Sequence, residues 1–159
     1  MEGYSALHAV NHEHLKSPAF WTVSVIAMAL KITLKPKEKM IIDGAVVTNG
    51  SNRCDLYIEN SVPILRQKDI LSEKEANSPS RRIYFAIQLM YIDEVNLELH
   101  HKTYWQLVHD LIEAVPSALS VIDAISDHIL KGQYYQALKE AKNLIDYEEE
   151  VIGRVQQFA

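Results

Sequence analysis

Residues 78–90 read Ser-Pro-Ser-Arg-Arg-Ile-Tyr-Phe-Ala-Ile-Gln-Leu-Met, and in them the period of the chain changes. Ser78 followed by Pro79 has the form of a helix N-cap with proline at the first helical position. Ile83, Ala86, Ile87 and Met90 then recur at i, i+3, i+4 and i+7, which puts them on one face of a helix. Before this stretch the spacing is that of strands. Leu30, Ile32 and Leu34 alternate with Lys31, Thr33 and Lys35, the period of two expected of a half-buried strand with lysines on its other face. Such a switch predicts an α+β fold in which a small antiparallel β module precedes a helical bundle.

Working back from Ser78, the β reading covers residues 29–69 and predicts four short strands. Pro36-Lys37-Glu38 is a turn, and residues 39–47 place Met40, Ile41, Ile42, Val46 and Val47 around Asp43-Gly44. Asn49-Gly50 is a strong hairpin signal and Asp43-Gly44 a second, because these residues tolerate positive φ. Leu56-Tyr57-Ile58 forms the next strand, and Ile64-Leu65 another, with Pro63 marking an edge or a strand start.

Working forward, a second helix is expected from about Lys102 to Ala114 on Tyr104, Leu107, Val108 and Leu111. Pro116 and Ser117 start a third, carried by Leu119, Ile122, Ile125 and Ile129 and stopped by Gly132. A fourth uses Tyr134, Leu138, Ala141 and Ile145. The short loops between them predict antiparallel packing. Residues 28–71 are thus expected to form the β module and residues 72–159 the bundle, packed together as one domain.

The whole chain has 159 residues, of which 48% are hydrophobic and 23% charged, an ordinary globular composition that excludes wholesale disorder. Its net charge of −5 argues against a general nucleic-acid glue. Charge is unevenly spread, however. Residues 29–82 carry ten bases against seven acids, and residues 83–159 carry five against twelve. A lone cysteine, Cys54, cannot form an internal disulfide and fits a reducing cytoplasm. The longest apolar run, Ala19 to Leu30, is twelve residues and falls short of the roughly 20 needed to span a bilayer, so no membrane is expected as a partner. Glu2 and Glu13 against one lysine, Lys16, also argue against a signal peptide there.

Catalytic signatures are missing. The chain has no GxSxG, HExxH, CxxC or phosphate-binding glycine loop, so neither an enzyme nor a cofactor is expected. His8, His12 and His14 lack a further ligand at diagnostic spacing, and the adjacent His100 and His101 point to different sides of an element, so the histidines are read as solvent-facing and no metal is expected. Asp146 with Glu148-Glu149-Glu150 reads as a solvated helix face.

The basic residues hold more information. Lys31, Lys35 and Lys37 lie on and after the first strand, Arg53 enters a later one, Arg66 and Lys68 alternate on the last, and Arg81-Arg82 open the first helix. Cations on a sheet neutralise phosphates, and guanidinium planes stack on unpaired bases, so these eight form the candidate RNA surface. Lysines on an edge strand also serve simply to block aggregation. For Arg81 and Arg82, cations at the positive end of a helix, the alternative to RNA is an internal pair with an acidic group from elsewhere in the fold, such as Asp69, Glu73 or Glu75. Lys139 and Lys142 fall in the acidic region and are read as lying outside the RNA surface.

Residues 41–46 (Ile-Ile-Asp-Gly-Ala-Val), 56–60 (Leu-Tyr-Ile-Glu-Asn), 65–71 (Leu-Arg-Gln-Lys-Asp-Ile-Leu) and 81–91, followed by Glu113-Ala114-Val115-Pro116-Ser117 and residues 132–138 (Gly-Gln-Tyr-Tyr-Gln-Ala-Leu), together resemble the flagellum biosynthesis repressor FlbT family over about residues 28–152. The resemblance leaves residues 1–27 outside the match, as an extension. It implies a post-transcriptional repressor, not an enzyme, that associates with the 5′ untranslated region of flagellin mRNA and promotes its degradation. A protein-binding adaptor or flagellar assembly chaperone, acting on flagellin or another flagellar regulatory protein, is the alternative. Residues 30–70 are also similar to the small carbon storage regulator proteins, which pair strands across a dimer and use a basic residue on the last strand to touch RNA. That likeness implies a role for Arg66 and admits a homo-oligomer. Leu34 departs from it, standing where an arginine is usual, and one extra residue separates Arg66 from Asp69.

Overall fold

The computed structural model describes residues 29–157. The expectations for residues 1–27, including His8, His12 and His14, lie outside the described residues. Among the described residues the fold is α+β, with five short strands followed by four α-helices.

Strand β1 (Leu30–Leu34) pairs antiparallel with β4 (Cys54–Ile58), with Ile32 opposite Leu56. A second sheet has the order β3-β2-β5, built from β2 (Lys39–Ile42), β3 (Ala45–Thr48) and β5 (Ile64–Arg66), all antiparallel. Side chains from both sheets meet in a small core around Ile32, Leu34 and Met40. The centre of β2 is buried on both faces, Met40 in that core and Ile41 in the helical one. This is why residues 40–42, Met-Ile-Ile, form an apolar run instead of an alternation.

One more strand is present than the sequence predicts, because Asp43-Gly44 divides residues 39–47 into β2 and β3. Asp43 has φ 49° and Gly44 φ 78°, a two-residue turn whose positive φ values suit the right-handed twist of a hairpin. The turn also presses against the helices: a Cβ on Gly44 would lie 2.9 Å from the carbonyl oxygen of Ile92.

Asn49-Gly50 makes no such turn, and neither residue has positive φ. β3 and β4 do not pair with each other. Asn49 acts through its side chain instead. Its Nδ2 donates to the carbonyls of Lys35 and Asn52, both at 2.8 Å, and of Leu34 at 3.3 Å, while its Oδ1 accepts from Cys54 Sγ at 3.2 Å. These bonds tie the β3–β4 loop to the turn between β1 and β2, where Lys37 carries the positive φ, 61°. β5 ends at Arg66, and Lys68 therefore lies in a short 3-10 turn (Gln67–Asp69) instead of on the strand.

Helix α1 (Pro79–Ile92) starts where Ser78 predicts, the Ser78 hydroxyl accepting from the Arg81 N–H at 3.4 Å. Ile83, Ala86, Ile87 and Met90 are all buried. Helix α2 (Leu97–Ala114) begins five residues before the expected start, led in by a 3-10 turn over Glu94–Asn96. Asp93 organises this entry by accepting from Asn96 Nδ2 at 2.9 Å and pairing with His100 Nε2 at 2.8 Å. His100 is accordingly buried and not solvent-facing, a pairing seven residues apart that periodicity does not reveal. Helix α3 (Leu119–Leu130) and helix α4 (Tyr134–Gln157) meet at Gly132, with φ 70°.

α1 packs against both α2 and α4, and α3 lies along α4. Ile41 and Leu65, paired across β2 and β5, enter this helical core from the sheet side. The connector before α1 is held by Gln88, whose amide both accepts from the Leu71 N–H (2.8 Å) and donates to its carbonyl (2.9 Å), and by the Tyr84 hydroxyl, which donates to the Asp69 carbonyl. Among the described residues no helix is long and apolar enough to cross a membrane.

Candidate nucleic-acid interface

The eight cations singled out by the sequence do not form one surface. Lys31 projects from the outer face of β1, with Nζ 2.9 Å from Asp55 Oδ2 and 5.7 Å from the centre of the Tyr57 ring. Its pKa is raised by the hydrogen bond and charge of Asp55. The Asp55 carboxyl is in turn lowered, first by the Thr33 hydroxyl at 2.6 Å and then by Lys31. Arg53 is exposed at the start of β4.

A second group gathers around the turn between β1 and β2. Lys35, Lys37, Arg66 and Lys68 line one open groove of about 920 Å³, together with Glu38 and Tyr135. Arg66, the residue favoured by the carbon storage regulator likeness, is half-buried, and its guanidinium is engaged by neighbours within the protein. Its Nη2 lies 2.5 Å from Glu38 Oε1 and 3.3 Å from the Thr33 carbonyl, and its Nε 3.2 Å from Glu38 Oε1. The other Glu38 oxygen accepts the Lys35 backbone N–H at 2.8 Å. That bond, followed by Arg66, holds the Glu38 carboxyl below its usual range. The Glu38–Arg66 pair thus fixes the turn to the end of β5. Lys35, Lys37 and Lys68 are exposed and make no ion pair among the described residues.

The groove continues onto α4. A smaller hollow beside it is lined by Lys68, Asp69, Tyr84, Tyr135, Lys139 and Lys142. Lys142 pairs with Asp69, and the Lys139 ammonium lies 4.6 Å from the centre of the Tyr135 ring. Lys139 and Lys142 belong to an acidic stretch of chain, from which charge counting expects no part in the RNA surface. The signal that finds them is spacing, since positions 135, 139 and 142 share one helix face. Folding sets that face beside Lys68.

Arg81 and Arg82 form a third group at the start of α1. Arg81 pairs with Glu149 at 3.2 Å, and not with Asp69, Glu73 or Glu75. Arg82 is exposed. The adjacent Glu148 accepts from the Ser78 hydroxyl and, at 3.2 Å, from the Ser80 N–H. The acidic run is therefore more than a solvated face, because one of its carboxylates caps the N-terminus of α1, where free N–H groups and the helix dipole favour an anion. Among the described residues no group of three or more His, Cys, Asp or Glu side chains could hold a metal ion.

Taken together, the geometry defines an α+β protein that offers a cation-lined groove with a tyrosine on its wall, a surface suited to a polyanion. The family described as flagellar protein FlbT matches residues 30–152. The chain is 47% identical over 128 residues to the probable flagellum biosynthesis repressor protein FlbT 1 of Bradyrhizobium diazoefficiens, covering 80% of this chain and 87% of the relative. It is 42% identical to the probable flagellum biosynthesis repressor protein FlbT of Rhodopseudomonas palustris, covering 80% of this chain and 100% of the relative. It is 39% identical to the flagellum biosynthesis repressor protein FlbT of Caulobacter vibrioides, covering 80% and 92%. No solved structure matches. The chain belongs to the FlbT family.

Proposed function

We propose that this protein represses flagellum biosynthesis after transcription, by binding the 5′ untranslated region of flagellin mRNA in the cytoplasm and promoting its degradation. The relatives' names support repression. The observation that carries RNA binding is the convergence of Lys35, Lys37 and Lys68, none of them neutralised by an ion pair among the described residues, on one groove. In this reading the three lysines contact phosphates and Arg66 holds their turn in place. Lys31, Arg53, Arg81 and Arg82 lie outside the groove and contribute less. The chain supplies recognition, and the cell's own nucleases supply cleavage.

A mobility-shift assay of the full chain with a flagellin leader, beside an unrelated leader, tests this. Binding should weaken steeply with salt. Replacing Lys35, Lys37 and Lys68 together by alanine should lower the slope of log affinity against log salt by about two, roughly 0.7 per phosphate contact on a single strand. Failure to retain the flagellin leader, or a triple variant with unchanged affinity and slope, would refute the reading.

One observation favours a second reading, an adaptor or chaperone for flagellin or another flagellar regulator. An apolar cleft of about 360 Å³ lies between α1, α2 and α4, walled by Leu107, Leu111, Val115, Leu144 and Val151. Its shape and chemistry suit the apolar face of a partner helix. Capture of purified flagellin that survives high salt and is lost in Leu107→Asp would select this reading over RNA.

A further inference from the structure

The groove does not end at its lysines. Tyr135, in the first turn of α4, lines three adjoining hollows: the lysine groove, the smaller hollow by Lys139, and a third bounded by Tyr91, Gln133 and Gln136. It remains 37% exposed in spite of its size. The ring is braced by Tyr91, with centroids 5.6 Å apart and planes at 38°. Over it lies the Lys139 ammonium, which has no carboxylate partner among the described residues and rests on the ring's electron-rich face.

A surface that recognised phosphate by charge alone would gain nothing from an aromatic ring at the meeting point of its hollows. A braced ring has lost its rotamer freedom before any ligand arrives, so stacking on it costs little further entropy. Lys139 is on a flexible stem and can leave the ring for a phosphate, which frees the face it covered. A duplex keeps its bases stacked inside and has no face to offer, whereas an unpaired nucleotide presents base and phosphate together.

We infer that Tyr135 is a stacking platform for one unpaired base, with Lys68 and Lys139 on the flanking phosphates, so that the groove selects single-stranded RNA. This inference rests on the RNA-binding reading and deepens it.

Fluorescence anisotropy of the full chain with a short labelled oligoadenylate, alone and annealed to oligouridylate, tests the proposal. The wild-type chain should prefer the single strand. Tyr135→Ala should lose about tenfold in single-strand affinity, the order expected for one stacked base, without changing the salt slope. Tyr135→Phe should retain the affinity, Lys139→Ala should lower the slope, and neither tyrosine variant should alter duplex binding. On the wild-type chain, an oligonucleotide carrying a photoreactive thiouridine should crosslink to the first turn of α4. Equal wild-type affinity for single strand and duplex, an unaffected Tyr135→Ala, or crosslinks confined to other elements would overturn the platform. If the flagellin leader is still bound with its salt dependence in that event, the RNA reading stands without it. A wild-type chain that binds neither leader nor oligonucleotide brings down both.

Discussion

Glu38 carries no positive charge and yet organises the cations around it. One carboxylate oxygen takes the Lys35 N–H and the other takes Arg66, so the turn that carries Lys35 and Lys37 is pinned to the end of β5. Both bonds favour the ionised form, which is why its pKa lies below the ordinary 4.5. The direction of the linkage follows. A carboxyl depressed in the folded state contributes stability that is fully present above pH 4.5, the value of the unfolded chain, and is lost as pH falls through the folded value. Glu38→Gln should therefore flatten part of the acid limb of a plot of thermal midpoint against pH, leaving the plot parallel to wild type above pH 5 to 6; melts over a pH series measure this. Arg66 was visible in the sequence as a cation, but its partner was not. The two are 28 positions apart, and only the pairing of β2 with β5, with Met40 opposite Arg66, brings them together.

The helices show the same division between local and distant causes. Ser78-Pro79 and the spacing of Ile83, Ala86, Ile87 and Met90 are local features, and α1 begins where they say it does. Its second cap, Glu148, arrives from 70 residues away and looks from its neighbours like part of an exposed acidic run. Glu148→Ala should cost about 1 kcal/mol in chemical denaturation, the usual loss for a helix cap together with its favourable dipole interaction. Glu150→Ala, which loses only a surface pair with Arg154 inside α4, should stay within about 0.5 kcal/mol of wild type. Turns obey the same rule. Asp43-Gly44 and Asn49-Gly50 carry equal hairpin signals, yet only the first is flanked by strands that pair with each other. The second is drawn out of a hairpin by the nearby Asn52 carbonyl and by those of Leu34 and Lys35, which its asparagine meets only once the end of β1 is in place. The early start of α2 likewise depends on Asp93 reaching both Asn96 and His100.

Across the protein, the sheet and the helices meet through few large side chains, chiefly Ile41 and Leu65. Leu65 is fully buried, so Leu65→Ala should destabilise by about 2–5 kcal/mol. Although the residue is on a strand, the loss should appear in thermal melts followed by far-UV circular dichroism, a signal dominated by the helices. A melt in which the helical signal kept its wild-type midpoint would mean that the two parts unfold independently. Charge counted along the chain places the bases in the middle and the acids at the end, and on that basis α4 contributes nothing to a basic surface. Folding mixes the two regions: Asp69 pairs with Lys142, and Lys139 stands beside Lys68. The groove is therefore shared, its lysines coming from the β side and Tyr135 from α4. A strand of RNA lying in it would hold on to both halves at once and would bind only the folded chain, which shifts the folding equilibrium by mass action. Occupied molecules would then resist proteolysis better than empty ones, so filling the groove would lengthen the life of the folded chain.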